Sequence, residues 1–273
     1  MSTRSRIAAV AALALTALLV TLALPPVPQD PSYHEFADAR AFLGVPNLLN
    51  VASNLPFIAV GIAGLIFLAS ARGREPFRGP GERRCYAVLF LSLLLIGIGS
   101  SCYHWRPTNE TLFWDRLPMT LMFASFLGIT VSERISARWG AALFTPLLAA
   151  GVASIFYWRL GDSAGRGDLR FYGLLQGFTM VAVPLIVLLF PPRYSRGKDL
   201  LLIAGVYALA KACEILDGPI HAMGGLVSGH TFKHLLGGCA AWRVLVMLRA
   251  RRPLAEPAAV PSLRPGGNLM TAL

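Results

Sequence analysis

Charged residues are scarce in this chain of 273 residues: Asp, Glu, Lys and Arg make up 14% of it, about half the share in a soluble domain. Hydrophobic residues make up 55% and fall in long runs, which excludes a soluble globular enzyme and a disordered chain. The four cysteines form no Cys-x-x-Cys pair, so we expect neither a disulfide scaffold nor a thiolate metal site and interpret them as small buried hydrophobic residues. The sequence also lacks a Gly-rich phosphate loop, a Gly-x-Ser-x-Gly turn and an internal repeat, so no common signature of nucleotide binding, of a serine hydrolase or of a transporter is present.

Eight apolar runs have the length of about 20 residues that a membrane-spanning helix needs. They are 7–25, 47–70, 84–103, 112–131, 138–157, 171–191, 199–217 and 230–248. The first run follows two arginines, as in a signal peptide, but its apolar core is long and no small-x-small cleavage site precedes Pro25, so we expect an uncleaved helix. The predicted fold is an all-α polytopic membrane bundle: an N-terminus (1–6), an extra helix (7–25), a loop (26–46), a seven-helix core (47–248) and a disordered tail (249–273).

The formal net charge of +11 comes from basic residues in the short segments between the apolar runs. When eight helices alternate across a membrane, the basic segments 71–84, 132–138, 192–198 and 249–252 share one side with the N-terminus. This distribution predicts that both termini are cytoplasmic and gives no reason to expect nucleic acid as a partner. The Arg- and Ala-rich composition is compatible with a bacterial inner membrane.

Ionisable residues inside membrane helices are costly and usually functional. Here they concentrate at four helix ends that the alternating topology places together on the exoplasmic side. These ends are 97–104, 114–119, 211–217 and 228–234. We therefore expect one polar layer at that depth, with a site that faces the exoplasmic side.

Three histidines occupy this layer. His230 and His234 are four residues apart, which places both imidazoles on one helical face, and His104 lies at the same depth. A His-x-x-x-His pair alone is a weak signal, and satisfied core histidines are the alternative. Three histidines would leave a fourth zinc position open for water, as in catalytic sites. His34 and His221 fall in predicted loops, and we do not expect them to be ligands.

A serine and an aspartate accompany the histidines. Ser100 precedes His104 by four residues and could hydrogen-bond a metal-bound water or an oxyanion, with Ser101 as its competitor. A serine in a membrane helix also commonly bonds a backbone carbonyl. Asp115 could be a general base or simply a charge that the helix N-terminus stabilises.

Other polar residues at this depth suggest support for the histidines. Lys211 and Glu214 are spaced as an ion pair, while Glu214, Asp217 or Asp115 could accept the second ring N–H of a ligand histidine. We favour such a supporting role over metal ligation. Asn50 and Asn54 also share one face, which we expect to point into the bundle.

The combination of these motifs resembles the alkaline ceramidases, which belong to a superfamily of seven-helix membrane hydrolases that includes the adiponectin-type receptors. The resemblance runs from about residue 33 to about residue 248, and the first span looks like an addition to the seven-helix core. It depends on Asn50-x-x-Ser53-Asn54, Gly97-x-Gly99-Ser100-x-x-Tyr103-His104, Asp115-Arg116-Leu117-Pro118-Met119 and His230-x-x-x-His234.

The resemblance implies a zinc ion held by His104, His230 and His234, with Ser100 and Asp115 beside the metal-bound water. It implies hydrolysis of a ceramide-like membrane lipid to a sphingoid base and a fatty acid, with Asp115 as base and then acid. It indicates no protein partner.

The sequence departs from the family at a calcium site. Eukaryotic alkaline ceramidases resemble one another in an acidic N-terminal site that ends in a Glu three residues before the first Asn, and here that position is Asn47. Glu35 and Asp38 do not fit the family spacing either, so calcium dependence is doubtful.

Two other classes of function stay open at this point. One is a non-catalytic lipid-sensing receptor on the same zinc-binding scaffold, and the other is a transporter or proton relay. The lack of repeats counts against a transporter, and Ser100 and Asp115 favour an enzyme because a structural zinc does not need them.

Overall fold

The computed structural model describes residues 1–255, and this part of the chain is helical and contains no β-strand. Helices α1 to α10 run Thr3–Ala23, Leu48–Ala52, Leu55–Ala69, Pro80–Trp105, Asn109–Arg134, Ala137–Ser163, Arg170–Leu189, Asp199–Ile215, Asp217–Gly224 and Gly229–Ala250. The expectation of an all-α protein is confirmed for the described residues.

Five spans in the described chain are long and apolar enough to cross a membrane: Thr3–Ala23, Leu48–Ala69, Pro80–Trp105, Ala137–Ser163 and Arg170–Leu189. Helices α5, α8 and α10 fall outside this group because they carry ionisable residues or are short: α8 has 17 residues and contains Lys211 and Glu214. Composition thus supports several membrane-crossing helices and does not by itself confirm the predicted count of eight.

Two helix boundaries differ from the predicted ones. The predicted run 47–70 is interrupted between Ala52 and Leu55 because Pro56 lacks an N–H group and disfavours helical geometry in the residue before it. The predicted loop around His221 is wrong, since Asp217–Gly224 form helix α9, which ends at Gly225 in the left-handed conformation that glycine favours.

The predicted tail, 249–273, lies mostly outside the described residues, which end at 255. Within them, α10 continues to Ala250 and the chain then runs beside the α7–α8 connection. Arg251 is buried there, pairs with Glu133 and stacks over Tyr194 at 4.1 Å. This ionic cluster lies at the end of α5 that is opposite to Asp115.

Helix α4 packs between α3 and α5, while α10 packs between α3 and α8. Gly99 permits the close approach of α4 to α5, since a Cβ at that position would collide with the backbone carbonyl of Trp114. This contact brings Ser100, the next residue along α4, beside Asp115.

Helix α1 lies at the margin of the bundle. Only 6% of its most apolar window is buried, and it packs on α7 through Val10 and Leu13. The prediction that the cysteines are buried is confirmed for Cys85. It is wrong for Cys102 and Cys239, whose side chains are exposed on the outer surfaces of their helices.

Candidate metal centre and adjoining cavity

His104, His230 and His234 meet at one end of the bundle. Each is at least 95% buried, and the ring centroids are 4.8 to 4.9 Å apart in all three pairs. One ring nitrogen from each lies within 4.8 Å of the others, so the three side chains could hold a metal ion. The prediction that these residues come together is confirmed, and the geometry does not identify the metal.

The start of α10 explains the position of two of these histidines. The Ser228 side chain accepts the Thr231 backbone N–H at 3.2 Å and caps the helix. The Asp217 carboxylate accepts the His230 backbone N–H at 2.7 Å, which satisfies a second N–H of the first turn. His230 and His234 are therefore fixed one turn apart in the first turns of the helix.

A hydroxyl orients His234. Its Nδ1 lies 2.8 Å from Ser53 Oγ, and that hydroxyl donates to the Asn50 backbone carbonyl at 3.1 Å. Because the hydroxyl hydrogen is already used, Ser53 accepts an N–H from Nδ1, and Nε2 is left with its lone pair. The ring partner is thus a serine and not one of the carboxylates that the sequence suggested.

The nitrogen donors fit a metal ion of the zinc class. Within residues 1–255, Nδ1 of His104 is buried and has no hydrogen-bond partner, which is unusual for a buried ring nitrogen unless another group engages the ring. Imidazole nitrogens suit zinc and neighbouring transition metals, and three of them leave a coordination position for a reactant.

Asp115 and Ser100 lie beside the histidines on the wall of one internal cavity, which His234 also lines. Both are buried and lie where α4 and α5 approach each other closely at Gly99. Ser101, the competitor, donates its hydroxyl to the Gly97 carbonyl at 2.8 Å and does not line the cavity. The structure therefore places Ser100 and Asp115, and not Ser101, on the cavity wall.

The carboxylates of α8 and α9 have other partners than the histidine rings. Glu214 accepts hydrogen bonds from Lys211, from Lys233 at 2.6 Å and from the Tyr33 hydroxyl at 3.2 Å. Asp217 accepts backbone N–H groups from Ala37 at 3.0 Å and from His230. The predicted Lys211–Glu214 pair is present, and Lys233, which sequence reasoning missed, completes it.

The two asparagines lie under the site. Asn50 Oδ1 accepts the Thr231 hydroxyl at 2.8 Å, which ties α2 to α10, and Asn50 Nδ2 donates to the Asp38 carbonyl at 3.3 Å. Asn54 Nδ2 donates to the Asn50 carbonyl at 2.9 Å. Asn54 lines the cavity, and its buried Oδ1 has no hydrogen-bond partner among the described residues.

The loop before α2 covers the histidines. The Phe36 ring lies 4.6 Å from that of His104 and 5.1 Å from that of His230. His34 Nδ1 lies 3.0 Å from the Tyr103 hydroxyl, so His34 anchors the loop and is not a member of the histidine cluster. Sequence reasoning missed Phe36 because one aromatic residue in a loop carries no periodic signal.

An ion pair between Asp38 and Arg40 stabilises the other end of the loop before α2. The Arg40 guanidinium donates to both oxygens of Asp38, at 2.7 and 2.8 Å, and to the Leu226 carbonyl at 2.6 Å. Hydrogen bonding from Arg40 holds the pKa of the Asp38 carboxyl below its usual range.

The cavity has a polar end at the histidines and a long apolar wall. Its volume is about 230 Å³. The apolar part includes Leu89, Leu93, Met119, Met122, Phe123 and Val183, from helices α4, α5 and α7. Such a cavity, mostly apolar with a few polar groups, is typical of a site that binds a small molecule.

The chain matches no protein-family model and no curated protein. The residues of the site and their geometry are therefore what supports a function.

Proposed function

We propose that this protein is a zinc-dependent membrane amidase of the alkaline ceramidase type, which hydrolyses the N-acyl bond of a ceramide-like lipid to a sphingoid base and a fatty acid. One observation carries the proposal. Three buried histidines lie together beside a largely apolar cavity, and one of them, His234, lines this cavity together with Asp115 and Ser100.

Zinc is the metal that fits this donor set best, with His104, His230 and His234 as ligands and an open fourth position. When bound, it would polarise the acyl carbonyl and activate a water molecule. Ser53 supports this assignment because it directs Nε2 of His234 toward the other two rings.

Asp115 and Ser100 supply the proton transfer and the oxyanion contact. Asp115 takes a proton from the water that adds to the carbonyl carbon, and returns it to the amine nitrogen as the C–N bond breaks. The Ser100 hydroxyl donates a hydrogen bond to the carbonyl oxygen as it gains negative charge. Asn54 Oδ1, the acceptor without a partner, suits the N–H group of the substrate amide.

The apolar cavity wall suits an acyl chain. Each methylene that leaves water for this wall contributes about 0.8 kcal/mol to binding. Phe36 covers the histidines and limits the access of bulk water from the loop side, which strengthens electrostatic interactions at the reacting amide.

The scaffold that we propose is a seven-helix core with α1 as an added N-terminal span. Leu48–Ala69 counts as one span of the core, and α4 to α8 and α10 are the other six. The basic segments between the helices support cytoplasmic termini and an exoplasmic site, in a bacterial inner membrane.

The proposal is tested on protein purified in detergent, by metal analysis and by release of fatty acid from ceramides and other N-acyl lipids. Asp115→Asn should keep the metal and reduce turnover at least a thousandfold, while Glu110→Gln, at an exposed position on the same helix, should behave as wild type. His104→Ala should lose the metal.

Two results would contradict the proposal. Unchanged metal content in His104→Ala would mean that the three-histidine site is wrong. Bound metal without cleavage of any N-acyl lipid would favour the lipid-sensing receptor instead.

A further inference from the structure

The charged side chains on the cavity wall do not balance. Arg116, Lys211 and Lys233 are cationic, while Asp115 and Glu214 are anionic. The wall therefore carries one more positive than negative group before any metal is counted, and a bound divalent ion would add to this excess.

A single carboxylate serves two of the cations. The side chain of Glu214 is 10% exposed and forms ion pairs with Lys211, on the same helix α8, and with Lys233, on α10. An ammonium group has three donors, and within residues 1–255 Lys211 has Glu214 as its hydrogen-bonding partner. Lys233 Nζ also lies 3.5 Å from Nε2 of His230. Lys211 therefore keeps spare donors, and the two lysines together present one uncompensated charge to the cavity.

Arg116 does not correct the imbalance. Its guanidinium donates to Gln29 Oε1 at 2.6 Å and stacks over the rings of Tyr33, Trp158 and Tyr172 at 5.1 to 5.4 Å. In the described part of the chain no carboxylate lies within ion-pair distance of this guanidinium. Cation–π contacts stabilise the Arg116 guanidinium without neutralising it, so its charge adds to the positive potential of the site.

Uncompensated positive charge beside an apolar cavity is unfavourable in a membrane bundle, and an anionic ligand removes the imbalance. The attraction is stronger at Lys233, whose side chain is 18% exposed, than at Lys211, which is 32% exposed, because water weakens the interaction between charges. The acyl chain of a substrate fits the apolar wall, so its polar group must lie at the end where the lysines are.

We infer that the substrate is an anionic amide lipid, with a carboxylate or phosphate on the amine side of the amide, and that Lys211 and Lys233 bind this group. The amide part rests on the proposed function, whereas the anion site rests on the charges of the cavity alone. The alternative is that the lysines only hold α8 to α10 through Glu214.

The first test compares matched lipids on the wild-type protein in detergent. N-palmitoylglycine and N-palmitoylethanolamine have the same acyl chain and amide and differ in a carboxylate against a hydroxyl. Ceramide 1-phosphate and ceramide give the same comparison for a phosphate. We expect kcat/KM to be at least tenfold higher for the anionic member of a pair, and equal values for both pairs would overturn the inference.

The second test changes the charge. Lys211→Met should reduce the anionic preference severalfold, mainly through a higher KM for the anionic lipid, and Lys211→Arg should retain it. Lys198→Met, an exposed lysine at the other end of α8, is the matched control. If Lys211→Met keeps the wild-type preference for the anionic lipid, Lys211 contributes only to helix packing.

A binding measurement separates failure of the inference from failure of the proposed function. If no lipid is cleaved, the amidase proposal fails, and the rise in Tm with each lipid still reports the anion site. A larger rise with N-palmitoylglycine than with N-palmitoylethanolamine, lost in Lys211→Met, supports the site, and equal rises contradict it.

Discussion

The Nδ1 atom of His234 lies 2.8 Å from the hydroxyl of Ser53, which is located at the break between α2 and α3. Because this hydroxyl also donates to a backbone carbonyl, it fixes both the orientation and the tautomer of the ring. The break in the second span, caused by Pro56, is what places Ser53 at the level of α10. A local interruption of a helix thus orients one of the three histidines that could hold a metal ion.

Ser53→Ala is therefore expected to weaken metal binding by about 10- to 100-fold while the protein stays folded. The measurement is competition for the metal with a chelator of known affinity. Ser101→Ala is the control, since the Ser101 hydroxyl bonds the Gly97 carbonyl and lies away from the cavity. Equal affinity in Ser53→Ala and wild type would mean that the hydroxyl does not orient a ligand.

Gly99→Ala is expected to destabilise the bundle by about 1–3 kcal/mol because its Cβ would overlap the Trp114 carbonyl. The displacement of α5 would also move Asp115 away from Ser100, so fatty-acid release should fall more than the folded fraction. Thermal unfolding in detergent checks the first effect. Gly173→Ala is the control, since a Cβ at Gly173 meets nothing within 4 Å, and an equal Tm for the two variants would refute the close contact.

The sequence allowed the helices and the histidine cluster to be predicted, because both follow from local patterns. Apolar run length locates the long helices, with most of their ends correct to within a few residues, and the four-residue spacing of His230 and His234 places both rings on one helical face. The expectation that His104 lies near them came from the predicted alternation of the helices, and the structure shows the three residues together. These inferences need no knowledge of long-range packing.

The partners of the histidines could not be predicted in the same way. Ser53 and Phe36 reach the site through a helix break and a loop path, which depend on tertiary packing and not on periodicity. The carboxylates expected beside the rings bind lysines and backbone N–H groups instead. Glu214 pairs with Lys233, nineteen residues away on another helix, and no spacing rule connects the two.

The Asp38–Arg40 pair predicts a pH dependence of stability. Hydrogen bonding from Arg40 lowers the pKa of the Asp38 carboxyl in the folded state below its ordinary value, so the pair stabilises the protein fully at pH values above the ordinary pKa. The contribution is lost as the pH falls through the lower folded-state pKa. The Tm difference between wild type and Asp38→Asn should thus be constant near neutral pH and shrink below about pH 4.

Unfolding scans at a series of pH values check this expectation. Glu35→Gln, an exposed residue in the same loop, is the control for the removal of one carboxylate. If the Tm difference between wild type and Asp38→Asn is the same at pH 7 and at pH 3, the charge on Asp38 does not stabilise the folded protein.

Phe36→Ala tests whether the loop before α2 protects the histidines. The ring contacts His104 and His230 at 4.6 and 5.1 Å between centroids, so its removal should admit water and chelators to the metal centre. We expect metal loss to an excess of chelator to become severalfold faster, with little change in the metal content before the chelator is added, because the ligands themselves stay in place. Phe42→Ala is the matched control: Phe42 lies in the same loop but is 61% exposed. If both variants lose metal at the wild-type rate, the loop covers the site without controlling access to it, and exchange must occur through the cavity.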